Sequence, residues 1–198
     1  MSSLKEKTAK GLFWGGMNNM VQQIVGLAFG IVLGRLLSPY DYGMMAMISV
    51  FSLVATALQD SGFKVALTNQ EKPTDADYNS VFWFNIIMGL AMYAMLFAAA
   101  PLIAHYYNTP KVVPLCRLAF LSIVIASLGT AQSAWLFKNL RAKQQAKASM
   151  AAVLVSSCVG AGMAFAGMAY WSLATQGLVY VGLNTLLQWH YSPWRPSL

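Results

Sequence analysis

Residues Gly11 to Tyr42 read GLFWGGMNNM VQQIVGLAFG IVLGRLLSPY DY, and their reading decides the fold. No proline occurs before Pro39, and Leu12 to Leu36 is apolar except for amides near its start and Arg35 near its end. At ~1.5 Å per residue this helix is longer than the ~30 Å hydrocarbon core of a bilayer. Asn18 and Gln22 are four residues apart, as are Asn19 and Gln23, so the amides are expected to form one polar stripe. Lipid cannot hydrogen-bond to such a stripe, so it is expected to face other helices or a watery cavity. Gly26, Gly30 and Gly34 continue at the same spacing and are expected to let a neighbouring helix approach closely.

The rest of the chain has the same character. Of its 198 residues 58% are hydrophobic and 10% charged, and its mean hydropathy is +0.53. Soluble domains carry roughly 25% charged residues, so the chain reads as an integral membrane protein. No A-x-A-like cleavage site follows the first apolar run, which is therefore expected to remain as a span. The net charge of +7 lies in short segments between apolar runs. There it sets topology and touches lipid headgroups, and no nucleic-acid partner is expected. Cys116 and Cys158 stand alone in apolar runs, without C-x-x-C or a histidine at ligand spacing. They read as small core residues, and no metal or cofactor is expected.

Six apolar segments can be drawn: 11–36, 42–62, 80–104, 113–137, 149–168 and 171–189. None alternates with period two, which argues against a transmembrane β-barrel. The gaps carry turn chemistry, as in Ser38-Pro39, Lys72-Pro73-Thr74-Asp75 and Asn108-Thr109-Pro110. In a six-span arrangement Lys5, Lys7, Lys10, Lys64, Lys72, Lys138, Arg141, Lys143, Lys147 and Arg195 share one side. Arg35, Lys111 and Arg117 fall on the other. This asymmetry predicts that both termini are cytoplasmic. Tyr40, Tyr42, the His105-Tyr106-Tyr107 run and the Trp189 to Trp194 segment fall where interfacial aromatic belts are expected.

The polar residues admit more than one role. Asp60 and Lys64, flanking Gly62 at the end of the second segment, are four apart. They read either as an interfacial ion pair or as a polar break facing a cavity. The amides of the first span either bridge helices, at roughly 1 kcal/mol or less each, or form a hydrated wall able to bond sugar hydroxyls. The second role is preferred, with Asn85, Gln132, Gln176 and Asn184 as further lining residues. Lys138, Arg141, Lys143 and Lys147 read as topology determinants and headgroup contacts, with capture of a pyrophosphate as the alternative. His105 and His190 fall on opposite faces, and Glu71, Asp75 and Asp77 lie in a polar loop. No G-x-S-x-G, H-E-x-x-H or P-loop occurs, so no enzyme is expected.

Four landmarks then carry a resemblance: Arg35-Leu36-Leu37-Ser38-Pro39-x-x-Tyr42-Gly43, Asp60-Ser61-Gly62-Phe63, Leu136-Phe137-Lys138-Asn139-Leu140-Arg141 and Tyr170-Trp171-Ser172-Leu173. In order and spacing they resemble bacterial polysaccharide flippases of the O-antigen and teichuronic-acid type. These belong to the multidrug/oligosaccharidyl-lipid/polysaccharide exporter superfamily. The resemblance runs from about Leu4 to Pro196. It implies an all-α integral membrane protein, one six-transmembrane-helix lobe of a two-lobed exporter. It further implies a bacterial inner-membrane location and an undecaprenyl-pyrophosphate-linked oligosaccharide as cargo. Arg35, Pro39, Tyr42, Gly43, Asp60, Gly62, Lys64, Tyr170 and Trp171 would serve as structural or gating positions. The chain is expected to be the N-terminal half, needing a C-terminal lobe or second chain as partner. Related flippases of peptidoglycan precursors carry basic residues in the first span. Here amides hold that region and would bind phosphate or sugar without net charge. The alternatives are a cation-coupled drug exporter of the same superfamily, with Asp60 as the acidic residue, and a non-transporting helical scaffold or truncated product.

Overall fold

The computed structural model describes residues 4–59, 66–67, 69–70 and 73–197. Its helices are α1 (Leu4–Leu36), α2 (Pro39–Gln59), α3 (Asp75–Tyr106), α4 (Val112–Ser127), α5 (Thr130–Lys138), α6 (Ala142–Phe165) and α7 (Ala169–Tyr191). No strand occurs among the described residues. Ala9–Leu36, Pro39–Ala57, Asp75–Tyr106 and Ala142–Phe165 are long and apolar enough to cross a membrane. The α4–α5 pair, bent by 43°, is a fifth span if counted as one. Helix α7 has the length, at 23 residues, but Gln176, Asn184, Thr185, Gln188 and His190 dilute its apolar character. The protein is therefore an all-helical membrane protein. Its outer surface agrees, since Leu12, Leu27, Ile31, Leu53, Ile87, Leu102 and Leu186 are exposed as lipid-facing side chains must be.

The helix ends follow from local chemistry. Pro39 disfavours helical backbone at Ser38 and so stops α1. Ser38 then caps α2. Its backbone N and Oγ donate to Asp41 Oδ2 at 2.8 and 2.7 Å, and Asp41 N donates back to Ser38 Oγ at 3.4 Å. With proline as the first helical residue, this is a capping box at a sharp reversal. Thr74 and Asp77 build the same device at the start of α3. The α6–α7 turn places Gly167 at φ +80° and Ala169 at φ +42°, and only glycine takes the first of these without steric cost.

The packing has two hairpins at its centre, α6–α7 and α3–α4, joined where α7 lies on α4. Helix α1 packs along α6. Gly11 meets Ala142 near one end, and Phe29 meets Gly160 near the other. The two helices therefore run parallel and in register. Helix α2 rests on α3, α4 and α7, with Met44 and Ile48 in the core beside Phe120, Leu115, Ile103 and Ala174. A second cluster forms around α5, where Ala131 and Ala134 meet Tyr78, Phe82 and Trp194.

Candidate polar site

The main departure from the expected spans is at residues 113–137, drawn as one segment. The structure breaks it at Leu128-Gly129. A break in an apolar environment frees carbonyls that water cannot reach, so they need partners inside the protein. Helix α7 supplies them. Thr185 Oγ1 donates to Ile125 O at 3.3 Å, and Trp189 Nε1 donates to Leu128 O at 2.8 Å. The approach is close: a Cβ on Gly129 would fall 3.1 Å from Thr185 Oγ1 and 3.4 Å from Gln188 Oε1, so a side chain there would need α7 to give by a few tenths of an ångström. Thr185, Trp189 and Gly129 were not among the expected site residues. The available signal was Leu128-Gly129-Thr130 in the middle of an apolar run.

The half-helix after the break carries buried polar groups. Gln132 is 0% exposed, and neither Nε2 nor Oε1 has a hydrogen-bond partner. Beside it Ser133 Oγ accepts from Gln145 Nε2 of α6 at 3.4 Å. On α7 the Oδ1 of Asn184 is also buried without a partner. An orphaned buried polar group costs about 1–3 kcal/mol, a cost that falls on Gln132 of α5 and on Asn184 of α7. Asn85 differs. It is 2% exposed but donates to Val81 O of its own helix at 2.9 Å. Gln176 lies half-buried against Gly160, whose added Cβ would come 2.8 Å from Gln176 Cβ.

The four amides of α1 do not share one surface. Asn18 and Gln22 are half-buried on the side that also carries Gly11 and Phe29, which meet α6, and Gln22 Nε2 donates to Asn18 Oδ1 at 3.2 Å. Asn19 and Gln23, each rotated ~100° from its neighbour, are exposed. The expected close helix at Gly26, Gly30 and Gly34 is not found among the described residues, since nothing lies within 4 Å of a Cβ added at any of them. These glycines and Asn19 and Gln23 leave α1 with an open face.

The motif residues have local structural roles. Arg35 is exposed in the last turn of α1, where its charge favours the helix dipole. Pro39 starts α2, Tyr42 is exposed, and Gly43 is half-buried with open space beside it. Asp41, which sequence reading passed over, is 7% exposed and forms the capping box. Asp60, Gly62 and Lys64 lie outside the described residues. Tyr170 and Trp171 stack on one another at 5.9 Å and pack against the α2–α3–α4 core.

The basic run is partly engaged with the protein. Lys138 Nζ donates to Gln70 O, and Arg141 lies over Trp135 at 5.1 Å. Lys143 lies over Trp14 of α1 at 5.4 Å, while Lys147 is exposed. Cys116 is buried as expected, but Cys158 is exposed on α6, so its reading as a core residue is corrected. No group of three or more His, Cys, Asp or Glu side chains able to hold a metal occurs among the described residues.

An all-helical membrane bundle with buried amides and a bent helix pair is the class that these observations define. Residues 32–198 match the family described as "Polysaccharide biosynthesis protein", and the chain belongs to that family. It is 24% identical over 202 residues to the lipopolysaccharide biosynthesis protein WzxC of Escherichia coli, covering 99% of this chain and 40% of that protein. It is 24% identical over 140 residues to the teichuronic acid biosynthesis protein TuaB of Bacillus subtilis, covering 71% and 29%. It is 26% identical over 145 residues to the succinoglycan biosynthesis transport protein ExoT of Rhizobium meliloti, covering 73% and 29%. The chain thus spans well under half the length of these relatives. No solved structure matches it.

Proposed function

We propose that the chain forms one six-span lobe of a carrier that flips lipid-linked oligosaccharide across the bacterial inner membrane, with α7 as the sixth span and both termini cytoplasmic. The names of the relatives support a role in polysaccharide biosynthesis and transport. The observation that carries the mechanism is the open face of α1. Asn19 and Gln23 are exposed within a segment long and apolar enough to span, and lipid cannot satisfy their amides. A hydrated cavity between this lobe and a second one would do so. Their neutral donors and acceptors match sugar hydroxyls as the headgroup passes, while the lipid tail stays in the bilayer. The second lobe would come from further chain or from a second subunit, since rocking needs an opposing bundle.

The test uses the complete protein. Asn19→Leu combined with Gln23→Leu is expected to reduce transfer of lipid-linked oligosaccharide while membrane abundance holds. Asn18→Leu with Gln22→Leu, on the packed face, is expected to lower abundance and transfer together. Normal transfer in the Asn19/Gln23 double variant would remove the proposed wall.

A further inference from the structure

The last described residues return to the start of α3 and build a cavity there. Trp194 is 7% exposed, with its ring centroid 5.7 Å from Tyr78 and 5.9 Å from Phe82. Asn79 closes the return through two bonds to Ser197. Its Nδ2 donates to Oγ at 2.6 Å, and its Oδ1 accepts from the backbone N at 3.0 Å. Trp83 Nε1 donates to Ser197 O at 3.3 Å. These bonds hold residues 194–197 against α3, and an open pocket lies between the two. It measures about 440 Å³, and its lining includes Asp75, Asn79, Trp135, Trp194, Arg195 and Ser197. Small-molecule sites fall in the range of ~300–1,000 Å³.

The chemistry of the walls selects a ligand class. Asp75 is exposed in the first turn of α3 and offers a carboxylate that only accepts hydrogen bonds. Arg195 spends Nη1 on Ser192 O and Trp194 O, which leaves Nε and Nη2 as donors. Ser197 Oγ, already accepting from Asn79, has its O–H to give. Trp135 supplies an indole braced by Arg141 at 5.1 Å. One carboxylate and one guanidinium leave the lining without net charge. A free phosphate would meet Asp75, and a cation would meet Arg195. An alcohol donates to the first and accepts from the second, and a pyranose carries several alcohols with an apolar C–H face for an indole. We propose that this cavity binds a neutral pyranose sugar. The choice rests on the cavity's own donors and acceptors and is independent of the transport reading.

The test is saturation-transfer NMR on the full chain in phosphatidylcholine nanodiscs, with N-acetylglucosamine and inorganic phosphate as probes. The sugar is expected to receive saturation from the protein, and phosphate is expected not to displace it. Asp75→Ala, which removes no bond that holds the tail, is expected to weaken sugar binding about tenfold or more, as loss of a hydrogen bond to a charged group does. Arg195→Gln is expected to weaken it similarly, and Cys158→Ala, exposed on α6 and outside the lining, is expected to leave it unchanged. Absence of transfer, equal transfer in Asp75→Ala, or displacement by phosphate would each overturn the assignment. Because the readout is binding rather than flipping, any of these results would leave the lobe reading untouched.

Discussion

Phe29 of α1 lies over Gly160 of α6 so closely that a Cβ built on Gly160 would fall 2.8 Å from the ring carbon Cζ. The same Cβ would fall 2.8 Å from Gln176 Cβ of α7. Three helices therefore converge at one glycine, and its missing side chain sets how near they come.

Gly160→Ala is expected to destabilise the bundle by about 1–3 kcal/mol through overpacking. Gly162→Ala, at a position with open space around it, is expected to be neutral or slightly stabilising because alanine favours helix. Adding Phe29→Ala should recover part of the loss at Gly160, because it removes one of the two clashing groups. Thermal unfolding of the three variants in detergent measures this. An unchanged melting temperature for Gly160→Ala would contradict the geometry.

Ser38→Ala and Asp41→Ala each remove one half of the α2 capping box, and each is expected to cost about 1 kcal/mol. The double variant should cost less than the sum of the two, since the bonds are reciprocal. A double-mutant cycle followed by thermal unfolding reads the coupling, and strict additivity would mean that the two side chains act separately.

Thr185→Val removes the hydroxyl that serves Ile125 O and leaves that carbonyl at the break without its partner. The expected loss is about 1–3 kcal/mol, with Thr185→Ser close to the parent. Trp189→Phe should act in the same direction through Leu128 O. If Thr185→Val were as stable as Thr185→Ser, the hydroxyl would have no part in supporting the bend.

Gln132→Met has the opposite expected sign. It keeps roughly the same volume while removing two buried groups that have no partner, so the melting temperature is expected to rise. On the proposed transport reading, transfer of lipid-linked oligosaccharide by the complete protein is expected to fall, because a second state or a bound hydroxyl would satisfy this amide. A lower melting temperature would show that the amide already has a partner, such as a buried water.

Much of the architecture was legible in composition and punctuation. Pro39 marks a helix boundary that any packing must respect, and the apolar lengths mark the membrane. Asp41 was equally legible, since Ser-Pro-x-Asp spells a capping box, yet it was passed over in favour of the apolar runs on either side. The break at Leu128-Gly129 was harder to see. One glycine in a long apolar run is compatible with a straight span, and only the presence of Thr185 and Trp189 beside Ile125 and Leu128 makes the bend affordable.

The amides show where sequence reading stops. Helical spacing places Asn18 with Gln22 and Asn19 with Gln23, and this follows from 3.6 residues per turn alone. It does not say which pair meets another helix, because that depends on the rotation of α1 about its own axis. The rotation is decided by contacts far away in sequence, Phe29 against Gly160 and Gly11 beside Ala142. Membrane class and the helix ends set by turn residues were thus determined by the sequence, since hydrophobicity and turn chemistry are local properties. Which face of α1 is covered, where α4 and α5 bend apart and how residues 194–197 shape a pocket at α3 were decided only by tertiary structure, since each depends on atoms that packing alone brings together.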